Sequence, residues 1–396
     1  MARQQHDPQL PAPDPAAAEH SQRVRARLRD AIRDAGGRLT FDRYMALALY
    51  EPGLGYYSAG QARFGAGGDY TTAPLMTPLF SRTLARQTAE VLERLGGGDV
   101  LEFGAGTGRM AADVLLELDD RDRLPERYLI LEVSGSLQEE QRRTLDELPA
   151  RLRHRVTWLE RLPEVPLRGV VLANEVLDAL PVKRLQADEE GLQELVVVER
   201  GDGFGWEAAP AGRELTRAVG TIETALGREL PAGYVSEWCP ELAPWIRTLA
   251  SVLDTGAALL VDYGFPRAEY YHPQRAMGTL LCHYRHRAHD DPFAYPGLQD
   301  ITAFVDFSAA ADAAAGAGLD VIGFNTQAHF LMGAGLPAMI EEAVAGDPNR
   351  GAALAQQAKP LLFPDEMGER FKVLGLGRGL DEPLAGFGLF DHRHRL

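Results

Sequence analysis

Cysteine is scarce in this chain. Cys239 and Cys282 are the only two among 396 residues, too few for a disulfide framework or a cysteine-based zinc cluster, and in keeping with a reducing compartment. Positive charge is also short: 41 Lys and Arg face 57 Asp and Glu, a formal charge of −16. That balance argues against broad attraction to DNA, RNA or anionic lipid; it serves solubility and is compatible with a cationic substrate. Residues 1–20 are rich in Pro, Ala, Gln and Asp and carry no apolar signal-peptide core, so the expectation is a disordered tail on a cytoplasmic protein. No stretch reads as a membrane span, and neither nucleic acid nor membrane insertion is expected. What the chain does have is apolar content, 45% of its residues, enough at this length for a full core in two or so domains.

The densest signal lies between Asp99 and Leu118. An apolar run (Val100, Leu101, Phe103) ends in Gly104-Ala105-Gly106-Thr107-Gly108, after which Met110, Val114, Leu115 and Leu118 recur at helical spacing. This reads as strand, tight turn and helix. The glycines permit backbone angles closed to other residues and let a ligand lie against the main chain, while free N–H groups at the helix start favour an anionic group. A dinucleotide fingerprint has its third glycine three positions after the second, where Arg109 stands here. A phosphate-gripping loop ends in Gly-Lys-Ser/Thr, which is absent. A plain strand-to-helix turn stays open as an alternative.

The strands that follow repeat one arrangement, polar groups at a strand's carboxyl end. Tyr128–Leu131 ends in Glu132 and Val133, and a carboxylate at the tip of a second strand is placed to accept both ribose hydroxyls of an adenosine-containing cofactor. Val156–Leu159 is a third strand, whose Trp158 is either a core residue or near the adenine. Gly169–Ala173 is a fourth, continuous and apolar as a buried parallel strand should be. It runs into Asn174, Glu175 and Asp178, aimed at a reaction site in an open α/β sheet, although Asn and Asp also cap helices. Ala257–Val261 is a fifth strand, ending in Asp262.

Elsewhere the pattern is less regular. Helices are expected over Ser21–Asp34 and over Phe41–Leu49 with Thr40 as cap. A long glycine-rich, aromatic loop, Gly53 to Pro74, contains Asp69 and Thr72 and reads as functional or as a surface loop pinned by tyrosines. Leu185–Ala208 alternates around Gly201-Asp202-Gly203, a hairpin signal outside the parallel rhythm, and helices follow at Leu215–Leu226 and Pro240–Val252. Gly278–Asp291 clusters His283, His286 and His289 without cysteine or a His-Glu-x-x-His helix, so packing or binding is favoured over metal. Gln299–Gly316 is a helix candidate, Leu319–Phe324 a strand, 328–362 a helical insert, and Phe371–Gly377 a last strand closing the sheet.

Gly-x-Gly-x-Gly preceded by Glu102 resembles the first motif of class I S-adenosyl-L-methionine (SAM) methyltransferases. Together with Tyr50–Tyr57, Gly68–Pro74, Asn174–Pro181, Asp262-Tyr263-Gly264, Gly278-Thr279-Leu280, Asp300–Phe307 and Glu366–Val373, it resembles the MidA family of such enzymes over about residues 38–378. The resemblance implies an α/β fold: a class I methyltransferase (Rossmann-like) mostly parallel sheet with helices on both faces, an N-terminal helical region and inserted lobes. The divisions expected are a tail (1–20), N-terminal helices and cofactor-covering loop (21–95), first half of the core (96–182), inserted lobe (183–250), second half of the core (251–325), helical insert (326–365) and last strand with tail (366–396). It implies SAM held by Glu102, Gly104, Ala105, Gly106, Gly108, Glu132, Val133, Asp69 and Thr72, with Glu175, Asp178 and Asn174 at the acceptor and no metal. The family includes an arginine methyltransferase, so a protein substrate methylated on arginine is expected; a binding protein that keeps a SAM pocket and a small-molecule methyltransferase are the alternatives. A homodimer is compatible. Family members often carry His where Phe304 stands, so no role of such a histidine transfers.

Overall fold

A computed structural model of the chain describes residues 10–59, 72–189 and 191–396. The chain folds as two compact units, each discontinuous in sequence.

One unit comprises the described residues of Thr71–Leu177, with Ala243–Pro266 and Val305–Leu396. Its sheet contains β1 (Asp99–Phe103), β2 (Tyr128–Leu131), β3 (Val156–Leu159), β4 (Leu167–Asn174), β5 (Leu253–Phe265), β6 (Asp320–Thr326) and β7 (Phe371–Arg378). Their order is β3-β2-β1-β4-β5-β7-β6, parallel from β3 through β5. A short strand, Val305–Asp306, pairs in parallel with the end of β5. Because β2 lies on one side of β1 and β4 on the other, the chain reverses direction at β1, the topological switch point where ligands of such sheets bind. Every residue of β1 is buried, as a strand covered on both faces requires. Val100, Ile130, Val170 and Leu259 pack in one core with Phe80 and Leu84 of the helix Pro78–Leu95 and Val114 and Leu118 of the helix Arg109–Asp120. On the opposite face Phe103 meets Trp245 of the helix Leu242–Val252 at 5.2 Å between centroids. Helices therefore lie on both faces.

The last strand does not close the sheet at an edge. β7 lies between β5 and β6 and is antiparallel to both, a position that nothing local in its sequence encodes. The segment expected as one helix over Gln299–Gly316 is instead strand Asp300–Thr302, strand Val305–Asp306 and helix Phe307–Gly316. Asp306 caps that helix by accepting from the Ala309 N–H at 3.0 Å, a start signal that the apolar spacing of Ile301, Phe304 and Val305 obscures. The helical insert is three helices, Gln327–Gly333, Leu336–Gly346 and Pro348–Leu362.

The second unit joins the described residues of Met1–Tyr70 to Asp178–Leu242 and Arg267–Phe304. Its first helix reaches back to Pro15, with Asp14 accepting from the Ala17 N–H at 2.9 Å, so ordered chain begins before the tail boundary expected at residue 20. Helix Phe41–Tyr50 starts after Thr40 as read, without a side-chain cap bond. An antiparallel sheet runs in the order Gly203–Pro210, Gly191–Arg200, Lys183–Asp188, Val235–Trp238, and the hairpin turns at Gly201-Asp202. The histidine-rich stretch is a hairpin too: Leu281–Tyr284 pairs with Arg287–His289 around Arg285 and His286, both at positive φ, and Asp300–Thr302 flanks it. Val24, Leu28, Phe41, Val197, Phe204, Cys282 and Ile301 share one core. Residues 267–304, expected in the second half of the methyltransferase core, belong to this unit.

Candidate functional site

The glycine turn leaves β1 with Gly104, Gly106 and Gly108 at φ of 64°, 53° and 80°, a left-handed run that only glycine adopts without strain. The Gly108 N–H donates to the Ala105 carbonyl at 2.8 Å and the Gly108 carbonyl accepts from Ala112 at 3.0 Å. A Cβ on Gly108 would come within 3.1 Å of the Gln141 Cα, and one on Gly104 within 3.2 Å of the Val176 side chain. The turn is thus flanked by the helix after β2 and by the segment after β4.

Beneath it, Glu102 is buried in β1. Its Oε2 accepts from the Tyr128 hydroxyl at 2.5 Å, while Oε1 has no hydrogen-bond partner among the described residues. Burial pushes the carboxyl up to about 7, the Tyr128 bond acting the other way. At the tip of β2 the carboxylate of Glu132 is held from two sides: Oε1 accepts from the Ser134 N–H at 2.8 Å and Oε2 from the Gln141 amide at 3.1 Å. Burial raises its pKa, and those two bonds oppose the rise. The next side chain, Val133, is 83% exposed, an apolar surface beside an oriented carboxylate. Trp158 is partly buried against the core and donates its indole N–H to Gln141 at 2.9 Å.

The end of β4 is shaped by another acid. Asp262, buried at the end of β5, accepts from the backbone N–H groups of Val176 (3.1 Å), Leu177 (2.8 Å) and Tyr263 (2.8 Å). This clamps a sharp turn in which Glu175 sits at φ 53°, a conformation that costs a non-glycine residue about 1–3 kcal/mol. The Glu175 N–H donates to Val261 at 2.9 Å, and the Asn174 amide donates to the Glu175 carboxylate at 3.1 Å. Asn174 Oδ1 is buried and without a hydrogen-bond partner among the described residues.

The sequence-derived residues therefore divide. Glu102, Gly104, Ala105, Gly106, Gly108, Glu132, Val133, Asn174 and Glu175 are gathered at the carboxyl ends of β1, β2 and β4. Asp262, read as a polar group at the end of the fifth strand, accepts from three backbone amides. Asp178 belongs to the other unit, where it is buried and its carbonyl accepts from Ala303 at 3.0 Å. Thr72 precedes the short helix Ala73–Met76 without a side-chain cap bond, and Asp69 lies outside the described residues. Sequence reasoning missed Tyr128, Gln141 and the clamp of Asp262. A signal for Gln141 was present: the buried stripe of the helix Gly135–Leu145 is Gln138, Gln141 and Leu145, two amides where apolar residues belong.

This geometry has close counterparts. Residues 83–325 match a family model described as "Putative S-adenosyl-L-methionine-dependent methyltransferase". The chain belongs to this methyltransferase family. It is 30% identical over 369 residues to a Danio rerio mitochondrial protein arginine methyltransferase, NDUFAF7, covering 86% of this chain and 84% of that one. The Rattus norvegicus protein of that name is 29% identical, with 92% and 86% covered. A Burkholderia thailandensis structure, described as a "likely methyl transferase" bound to S-adenosyl-homocysteine (SAH), superposes with a TM-score of 0.92 at 44% identity, covering 98% of this chain and 100% of that one. The enzyme is SAM-dependent, and its residues fit that cofactor: a left-handed glycine turn, a buried carboxylate with an unused oxygen beneath it, and an oriented carboxylate at the tip of β2.

Proposed function

We propose that this methyltransferase modifies arginine on a partner protein. The observation that carries the reading is Glu175, a carboxylate fixed in a strained turn by the Asp262 clamp and adjacent to the glycine turn through Val176. A carboxylate so fixed can orient a planar guanidinium by paired hydrogen bonds and favour electron density on the attacking nitrogen. Asn174 holds Glu175 through its amide and offers Oδ1 to a donor. The names of the relatives and the charge of −16 support a cationic acceptor on a protein.

SAM, when bound, supplies an electrophilic sulfonium methyl group. In this reading Gly104, Ala105, Gly106 and Gly108 would hold its methionine portion with Glu102, Glu132 would accept from the ribose hydroxyls and Val133 would lie against the base; Thr72, and Asp69 outside the described residues, are assigned to the cofactor by the resemblance alone. Asp178, which the resemblance implies at the acceptor, belongs to the other unit and carries no part of this reading. Methyl transfer is an in-line displacement, so these residues contribute position and exclusion of water. The test is transfer of labelled methyl from SAM into fractionated protein, followed by mass analysis. Label on guanidinium nitrogen of a protein supports the reading. Label confined to small molecules, or on lysine, glutamine or nucleic acid, overturns the arginine assignment, and SAH binding with no transfer to any fraction favours a binding protein.

A further inference from the structure

Gln141 is fully buried, and the described hydrogen bonds employ both ends of its side chain. Its Nε2 donates to the Gly106 carbonyl at 3.0 Å and to Glu132 Oε2 at 3.1 Å, and its Oε1 accepts the Trp158 indole N–H at 2.9 Å. Three pieces of chain remote in sequence thus meet on one amide: the turn after β1, the acid at the tip of β2 and the middle of β3. The same helix grips the turn again one step further on, where the Thr144 hydroxyl donates to the Thr107 carbonyl at 2.7 Å.

We infer that Gln141 is a positioning residue for the cofactor, fixing the glycine turn and the Glu132 carboxylate in the register that SAM and SAH require. The physical case rests on what each bond holds in place. Ser134 and Gln141 each donate to a different oxygen of Glu132, which fixes the orientation of the carboxylate at the tip of β2. The bond to Gly106 ties the glycine turn to the same amide that fixes Glu132. Trp158 fixes which end of the amide faces which partner, since the indole N–H can only donate. A buried amide with every bond made specifies one geometry; removing it leaves several partners unsatisfied at once. Supporting partners of this kind are worth about 10- to 100-fold in ligand affinity in metal sites, the nearest measured analogue.

The inference rests on the reading of Glu132 as a ribose ligand, and the experiment separates the two. SAH affinity is measured by calorimetry for wild type, Glu132→Ala, Gln141→Met and the double variant, with melting curves to confirm folding. The expected result is a loss of about tenfold or more for Gln141→Met, and an effect of Glu132→Ala that shrinks to about threefold or less in the Gln141→Met background, because a misplaced carboxylate has little left to lose. Trp158→Phe keeps the ring and removes the N–H; it should weaken SAH by about two- to threefold and serves if Gln141→Met does not fold. Additive losses, or unchanged affinity in both Gln141→Met and Trp158→Phe while Glu132→Ala still weakens binding, overturn the positioning role. Unchanged affinity in Glu132→Ala alone overturns the ribose reading instead.

Discussion

The two units use the same residue types for different ends. In the unit without the glycine turn, buried charges meet opposite charges or donors away from any parallel strand end: Lys183 is held by Asp42 at 3.4 Å and Glu194 at 3.0 Å, Asp300 accepts from the Tyr57 hydroxyl at 2.9 Å and from the Ile301 N–H at 3.0 Å, and Glu237, whose Oε1 also lacks a hydrogen bond among the described residues, stands 3.8 Å from the Arg184 guanidinium. In the sheet unit, Glu102 keeps a buried oxygen without a hydrogen bond, and Asn174 does the same. A buried carboxylate is therefore no sign of function in itself. What distinguishes the candidate site is hydrogen-bonding capacity held in place and left over at the carboxyl ends of parallel strands. Asp262 marks the boundary between the two uses, for it lies in the sheet unit and still spends itself on three backbone amides.

Substitutions can break this contrast. Gly106→Val should have the largest effect, abolishing SAH binding because a β-branched residue cannot hold φ 53° and fills the space a ligand needs; calorimetry with unchanged affinity would contradict it. Asp262→Ala should come next, removing three charge-assisted bonds of about 1.5–3 kcal/mol each at the upper limit. Denaturant melts should show it destabilised, with transfer impaired even where the fold persists, whereas an unchanged midpoint would contradict the clamp. Glu132→Ala should weaken SAH by about 1.5–3 kcal/mol if a charge-assisted bond to ribose is lost, again read by calorimetry.

The smallest expected effect opposes the units in pH. Burial pushes Glu102 up to about 7, so in the unliganded protein its contribution to stability is complete below the ordinary carboxyl range and is lost as pH rises toward 7. In the other unit burial, and then the neighbouring His289, lowers His283 to about 4. Its contribution is complete above about 6.5 and is lost as pH falls toward 4. Glu102→Gln should therefore flatten the neutral side of the stability profile and His283→Gln the acid side, each on the order of 1–3 kcal/mol at most. Profiles shifted in parallel by both variants would remove the contrast.

Legibility in the sequence differed between the units for a physical reason. The sheet unit announces itself because strand, turn and helix are contiguous: β2 and β3 have the bounds that their apolar runs suggest, and Glu132 stands one residue beyond β2. Its misplaced parts are the non-local ones. β7 reads as a strand, but its insertion between β5 and β6 depends on pairing partners over 40 residues away, such as Thr326 for Lys372. The other unit is assembled from three separated pieces, so its hairpin at Gly201-Asp202 is readable while its union with the N-terminal helices is not. Gln141 and Asp262 were visible as polar residues in buried patterns, but their partners, Gly106, Trp158 and the Val176 and Leu177 amides, exist only once the sheet has formed.

The most direct test is a single substitution measured two ways. Glu175→Gln keeps the shape of the side chain and removes its charge, so SAH affinity and labelled-methyl transfer should separate: affinity within about threefold of wild type, under ~1 kcal/mol, and transfer slowed well beyond that. Equal losses of both would place Glu175 among the residues that hold the cofactor and contradict the division of the strand ends into a cofactor side and an acceptor side.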